Sequence, residues 1–197
     1  SLGNFFTIRE VLDKYHPEIV RYFLLSSHYR SPISYSEENL IAARQGLERF
    51  YHALRDFTPL APANLADVWS SVFGQRFIAA MDDDFNTREA FSVLYDLVRE
   101  INTAASADRA QAAALAAELK ALGGVLGVLQ ADPTEFLQRG VHRANDPCDD
   151  DIVSLIKERE IAKGEKRFAR ADAIRNELKA RGIVLEDSRA GTRWRRE

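Results

Sequence analysis

Between residues 36 and 130 the large apolar side chains recur three, four and seven positions apart. Leu40, Leu47, Phe50 and Leu54 form one series; Phe91, Leu94, Leu97, Val98 and Ile101 form another. This is the spacing of one face of an α-helix, because 3.6 residues complete a turn. A helical stretch from about Leu65 to Met81 and the run "AQAAALAAELKALGGVLGVLQ" extend the pattern. Stripes of this kind are buried by packing helix on helix, so the sequence predicts a bundle.

The helix boundaries are marked by side chains suited to ends. Thr7 and Glu10 in "TIRE" make a capping box, in which each side chain satisfies a backbone N–H of the other residue. Pro17 opens a second helix, where its missing N–H costs nothing. Pro32 interrupts "RSPISYS", and Ser36 caps the long helix that follows. "TPLAPAN" is a proline-punctuated connector, and "ADPTEFLQ" a short helical turn. The polar stretch "RGVHRANDPCDDD" reads as a linker over 139–151. Beyond it, Phe168, Ala171, Ile174 and Leu178 predict an apolar helical stripe that stops at Gly182. "IVLE" and "TRWRR" carry the one hairpin signal, with Gly191 between them. An isolated hairpin is marginal, so this one must pack on the helices before it. The expected fold is mainly α: a helical bundle over 36–138, then a small α/β domain over 152–197 ending in a β-hairpin.

Charge is divided unevenly. From Ile152 onward there are 13 Lys/Arg and 8 Asp/Glu, while the rest of the chain holds 14 bases and 22 acids. A basic terminal part on an otherwise acidic chain points to a nucleic-acid partner. No run approaches the roughly 20 apolar residues of a membrane span, and the first residues do not read as a secretion signal. The single cysteine, Cys148, excludes an internal disulfide and a multi-cysteine zinc site. Together these predict a cytoplasmic protein with no membrane partner.

Several motifs have a plain structural reading beside a functional one. "LGGVLG" lacks both the preceding strand and the spacing of a phosphate loop, so it reads as close helix packing or a helix end. Asp82, Asp83 and Asp84 in "MDDDFNT" read as acids before a helix start, with Asn86 or Thr87 as its cap. The acids of "DPCDDD" read the same way. In "SSHYRSP", His28 and Arg30 fall near a helix C-terminus and serve either as caps or as substrate contacts. In "TRWRR", Arg193 and Arg195 would share one strand face, and Thr192, Trp194 and Arg196 the other. Either Trp194 stacks on an unpaired base with arginines on phosphates, or it packs on the last helix with solvated arginines around it.

These residues resemble a known family. "SLGNFFT" is similar to the continuation of the K-M-S-K-S loop of class I aminoacyl-tRNA synthetases, with Ser1 as its final Ser. "HYRSPISYS", "MDDDFNT", "LGGVLGVLQ", "FARADAIRNEL" and "GIVLEDSRAGTRWRR" resemble, in this order, the C-terminal half of bacterial cysteinyl-tRNA synthetases. The resemblance implies a fragment whose parent joins cysteine to tRNA(Cys) through a cysteinyl-adenylate, using ATP and Mg²⁺. It also implies a zinc in a missing N-terminal catalytic domain, a monomeric enzyme, and no cofactor or catalytic residue in the fragment itself. Residues 1–35 would then be a stem-contact region, with His28 and Arg30 as possible tRNA stem contacts. Asp187, Arg189, Arg193, Trp194, Arg195 and Arg196 would bind the anticodon. One departure is visible: Arg167 stands where the family pattern has Asp before the aromatic of "FARAD", and Arg does not cap a helix. A stand-alone RNA-binding module and a helical interaction domain without a catalytic role are the alternatives. The 197-residue fragment alone is expected not to activate cysteine.

Overall fold

The computed structural model describes residues 7–139, 147–188 and 191–196. Ser1, His142 and Arg189 therefore lie outside the described residues, as does most of the expected linker. Backbone contacts divide the chain into two compact units, residues 1–134 and 135–197.

The first unit is helical. α1 (Ile8–Lys14) starts at the capping box: Thr7 N–H donates to Glu10 Oε2 at 2.7 Å, and Glu10 N–H to Thr7 Oγ1 at 3.3 Å. α2 (Pro17–Leu25) begins with Pro17 at its first position and His16 as cap. α3 (Glu37–Arg55) starts at Ser36, whose hydroxyl accepts from Asn39 N–H. α6 (Thr87–Ala107) and α7 (Arg109–Val125) are capped by Asn86 and Asp108. The predicted stripes form the core: Leu40, Leu47, Phe50, Leu54, Phe91, Leu94, Leu97 and Ile101 are all buried. Tyr22, Phe50, Phe91 and Tyr95 pack as a set of edge-on and tilted rings where α2, α3 and α6 meet.

Two helical readings change. The stretch from Leu65 to Met81 is two helices, α4 (Leu65–Ser70) and α5 (Val72–Asp82). Ser71 ends one and caps the next: its extended backbone leaves the helix, and its hydroxyl accepts from Gly74 N–H at 2.8 Å. Nor does α7 continue through "VLQ". Gly127 adopts φ +69° just past its end, Gly127 N–H donates to Gly124 O, and Val128 N–H donates to Gly123 O. That bond pair closes a helix with a left-handed residue. Gly123 serves the other reading of "LGGVLG", since a Cβ there would lie 2.7 Å from Leu129 Cδ1. α8 (Pro133–Arg139) is the expected short helix.

The second unit takes in most of α8, then α9 (Asp149–Gly164), α10 (Phe168–Ala180) and the hairpin β1 (Ile183–Ser188) with β2 (Gly191–Arg196). Asp149, Asp150 and Asp151 form the first turn of α9 and do not precede it, which suits the positive end of a helix equally well. The strands pair antiparallel, Ile183 with Arg196 and Ser188 with Gly191 at the two ends. The break between α9 and α10 survives the departure at Arg167. Lys166 takes φ +60°, Lys166 N–H donates to Lys163 O, and Arg167 N–H donates to Ala162 O. Backbone geometry closes α9, and α10 starts at Arg167 without a side-chain cap. Ile152, Ile156, Ile174, Leu178, Ile183 and Trp194 make the core of this unit.

Candidate nucleic-acid interface

Strand pairing fixes which side chains share a face. Ile183, Leu185, Asp187, Thr192, Trp194 and Arg196 lie on one face; Val184, Glu186, Arg193 and Arg195 lie on the other. The first face packs on the helices. Trp194 is 6% exposed within the core, and Arg196 is 2% exposed. Arg196 donates to Pro147 O at 3.0 Å and to Asp149 Oδ1 at 2.5 Å, and its guanidinium lies 5.3 Å from the Trp194 ring centroid. The predicted parity of "TRWRR" is observed, and the packed-indole reading of Trp194 describes its position. Neither Trp194 nor Arg196 is presented to a ligand in this arrangement: an indole that fills a core has no open face for a base. Arg193 and Arg195 stand on the outer face, half-exposed, and Arg195 pairs with Glu186 at 3.4 Å.

Asp187, grouped with the anticodon candidates by resemblance, is engaged inside the unit. Arg159 of α9 reaches it with two hydrogen bonds of 2.8 Å; Lys163 donates at 2.9 Å and Thr192 Oγ1 at 2.8 Å. Arg159, followed by Lys163, holds the Asp187 carboxyl far below the usual carboxylate range. The folded-state value is the lower one. The cluster's contribution to stability is therefore complete above the unfolded carboxylate range, at about pH 4, and is lost as the pH falls below it. Asp187→Asn should lower the urea midpoint of the second unit at about pH 7 and flatten its decline between about pH 4 and pH 2. An acid profile identical to that of the parent would contradict this.

The sequence pattern grouped Phe168 with the buried stripe of α10. The structure leaves it 62% exposed, while Ala171, Ile174 and Leu178 are buried. A helical side chain leans toward the N-terminus, so a residue at the first position covers space beyond the packed turn. Phe168 follows the exposed Lys166 and Arg167, and Arg170, partnered by Glu158 at 2.8 Å, lies one half-turn on. A large apolar residue bracketed by three cations was the available signal. An exposed ring face is what a stacking base requires, while Arg167 and Arg170 are paired with Glu165 and Glu158.

In the first unit, α2 ends at Leu25 with Ser26 as cap, so His28 and Arg30 are not its caps. They lie in the following turn, beside Asp84: His28 Nε2 at 3.7 Å and Arg30 Nη2 at 3.2 Å. His28 stacks on Tyr29 with ring centroids 4.8 Å apart, and Arg30 is 69% exposed at its side chain. Among the described residues no group of three or more His, Cys, Asp or Glu side chains could hold a metal ion. No described helix is long and apolar enough to cross a membrane.

Comparison with known proteins divides the chain in the same order. Residues 1–45 match the model of the tRNA synthetases class I (C) catalytic domain, residues 76–130 the DALR domain, and residues 145–195 the cysteinyl-tRNA ligase anticodon binding domain. The chain is 54% identical over 195 residues to a cysteine–tRNA ligase of Pseudomonas aeruginosa, a match covering 99% of this chain and 41% of that protein. It is 53% identical over 197 residues to the cysteine–tRNA ligase of Methylococcus capsulatus, covering 100% and 42%. The ligase of Azotobacter vinelandii is 52% identical over 195 residues. The chain thus spans about two-fifths of the length of the curated relatives it matches.

Proposed function

We propose that this chain is the tRNA-binding part of a cysteine–tRNA ligase, and that its second unit binds the anticodon of tRNA(Cys). The observation that carries the reading is a coincidence of place. The segment similar to an anticodon-binding domain, residues 145–195, contains nearly all of the basic stretch that begins at Ile152, and it exposes the Phe168 ring. Attachment of cysteine to tRNA, with its use of ATP, belongs to the whole ligase, a cytoplasmic monomer. This chain carries only residues 1–45 of similarity to a catalytic domain.

Within the second unit the roles divide by exposure. Phe168 stacks on an unpaired base. Arg193 and Arg195, on the outer hairpin face, meet a base edge and a phosphate. Trp194 and Arg196 hold the hairpin on its helices, and Asp187 orders Arg159 and Lys163. Arg189, outside the described residues, joins the candidates by the family resemblance alone. His28 and Arg30 are stem contacts of the first unit.

Binding of tRNA(Cys) and of an anticodon-swapped tRNA(Cys) at several salt concentrations tests this. The parent chain should favour the cognate anticodon. Phe168→Ala should cost about 1–3 kcal/mol of binding with little change in salt slope. Arg195→Ala should reduce that slope by roughly 0.7 for a phosphate contact on single-stranded RNA. Equal binding of both tRNAs by the parent would sink the anticodon reading.

A further inference from the structure

"MDDDFNT" is not used as a run of helix-start acids. Asp82 ends α5, and Asn86 alone caps α6. Between them Asp84 and Phe85 take φ +54° and +53°, two successive left-handed residues with side chains and no glycine. L-residues adopt that conformation reluctantly, and it persists where surrounding contacts over-determine it. Here the contacts converge on one carboxylate. Tyr29 Oη donates to Asp84 Oδ1 at 2.7 Å, Arg30 Nη2 lies 3.2 Å from the same oxygen, and His28 Nε2 lies 3.7 Å from Oδ2. Arg30 Nε also donates to Tyr29 Oη at 2.8 Å, so these two partners are tied to each other as well as to Asp84. Three residues on, Thr87 Oγ1 donates to Leu25 O at 2.7 Å. Residues 29–35 are otherwise exposed throughout.

The two segments joined here match different family models. His28, Tyr29 and Arg30 fall within residues 1–45, similar to a catalytic domain; Asp84 falls within residues 76–130, similar to a DALR domain. We infer that Asp84 is a positioning residue, a clasp that fixes the exposed turn after α2, residues 28–30, on the helical bundle so that bound tRNA meets the reacting centre in a single geometry. The inference rests on the reading of the chain as part of a cysteine–tRNA ligase. It assigns Asp84 no contact with substrate. Its effect runs through Tyr29 and Arg30, and the strained turn is what aims the carboxylate at them.

The test uses the intact ligase that contains this chain, with Asp84→Asn beside Asp83→Asn, the same charge change at an exposed neighbour. Asp84→Asn should leave cysteine-dependent ATP–pyrophosphate exchange unchanged and slow transfer to tRNA by about tenfold or more, as misplacement of one reactant does. The tRNA Kd should stay within about twofold, and Asp83→Asn should match the parent in all three. Tyr29→Phe, which removes one donor and keeps the charges, should act in the same direction and serves if Asp84→Asn folds poorly. Transfer at the parental rate in both variants would overturn the clasp. So would a parallel loss of exchange and transfer, which marks a general structural role. A parent that charges no tRNA with cysteine would overturn the ligase reading as well, a result distinct from either.

Discussion

Trp194→Ala should unfold most of the second unit while leaving the first unit folded. The indole is 6% exposed and shares a core with Ile152, Ile156, Ile174, Leu178 and Ile183. Removing a buried Trp costs about 3–5 kcal/mol, from lost transfer energy and the cavity left behind. A unit of about 60 residues has only a few kcal/mol in hand, so a loss of this size consumes most of its stability. The change also removes the ring beside the Arg196 guanidinium, which is 2% exposed and held by Pro147 O and Asp149. Amide hydrogen exchange of the 197-residue chain reads the two units separately. Protection should fall across β1, β2 and α10 and persist at Leu94, Leu97 and Ile101. Trp194→Phe should recover much of the loss, since a smaller ring fills part of the same space. Unchanged exchange in the hairpin of Trp194→Ala would mean that the indole does not hold it. Loss of tRNA binding by this variant is then read as unfolding, whereas Phe168→Ala tests base stacking in a folded unit.

What the sequence made legible was local. Thr7 with Glu10, Pro17, Ser36 and Asn86 mark helix starts because a cap and the N–H it satisfies lie within three residues of each other. Hairpin parity was legible for the same reason, since side chains alternate whatever lies beneath. Which face turns inward was not, because both faces of "TRWRR" carry arginine and the partner of Arg196, Asp149, lies 47 residues away. Ser71 escaped because one residue ends α4 and starts α5, leaving no proline or glycine at the break. Phe168 fitted an apolar period but stands at the first position of its helix, where the period says nothing about cover. Asp84 read as one of three equivalent acids until its partners 54 to 56 positions earlier in the chain singled it out.

Glu18 is the extreme case of a residue that looks ordinary in sequence, an acid in the first turn of α2. In the fold it is 6% exposed and holds the chain segment that follows α7. Glu18 Oε2 accepts from Leu129 N–H at 2.7 Å and Tyr51 Oη at 2.6 Å; Oε1 accepts from Gln130 N–H at 2.9 Å and Ala131 N–H at 3.2 Å. Leu129 sits at φ +65°, so this carboxylate stabilises a turn that its own backbone disfavours. Burial, then the bond to Glu18, pushes the Tyr51 hydroxyl well above its ordinary value and keeps it a donor. Glu18→Ala would leave Leu129 N–H, Gln130 N–H and the Tyr51 phenol without this acceptor, while Ala131 N–H keeps Tyr51 Oη at 3.2 Å. A buried donor left without an acceptor costs about 1–3 kcal/mol, and Glu18→Ala strips several at once. Glu18→Gln offers one acceptor oxygen and turns an NH₂ toward N–H groups, so it should cost about 1–3 kcal/mol. Urea unfolding of the first unit, followed through its helical signal, should rank parent, Gln and Ala in that order. Exchange should rise first at Leu129, Gln130 and Ala131. A Glu18→Ala chain with a parental midpoint would mean that the turn after α7 is held by Leu129 packing against Gly123 alone, and that the carboxylate contributes nothing net.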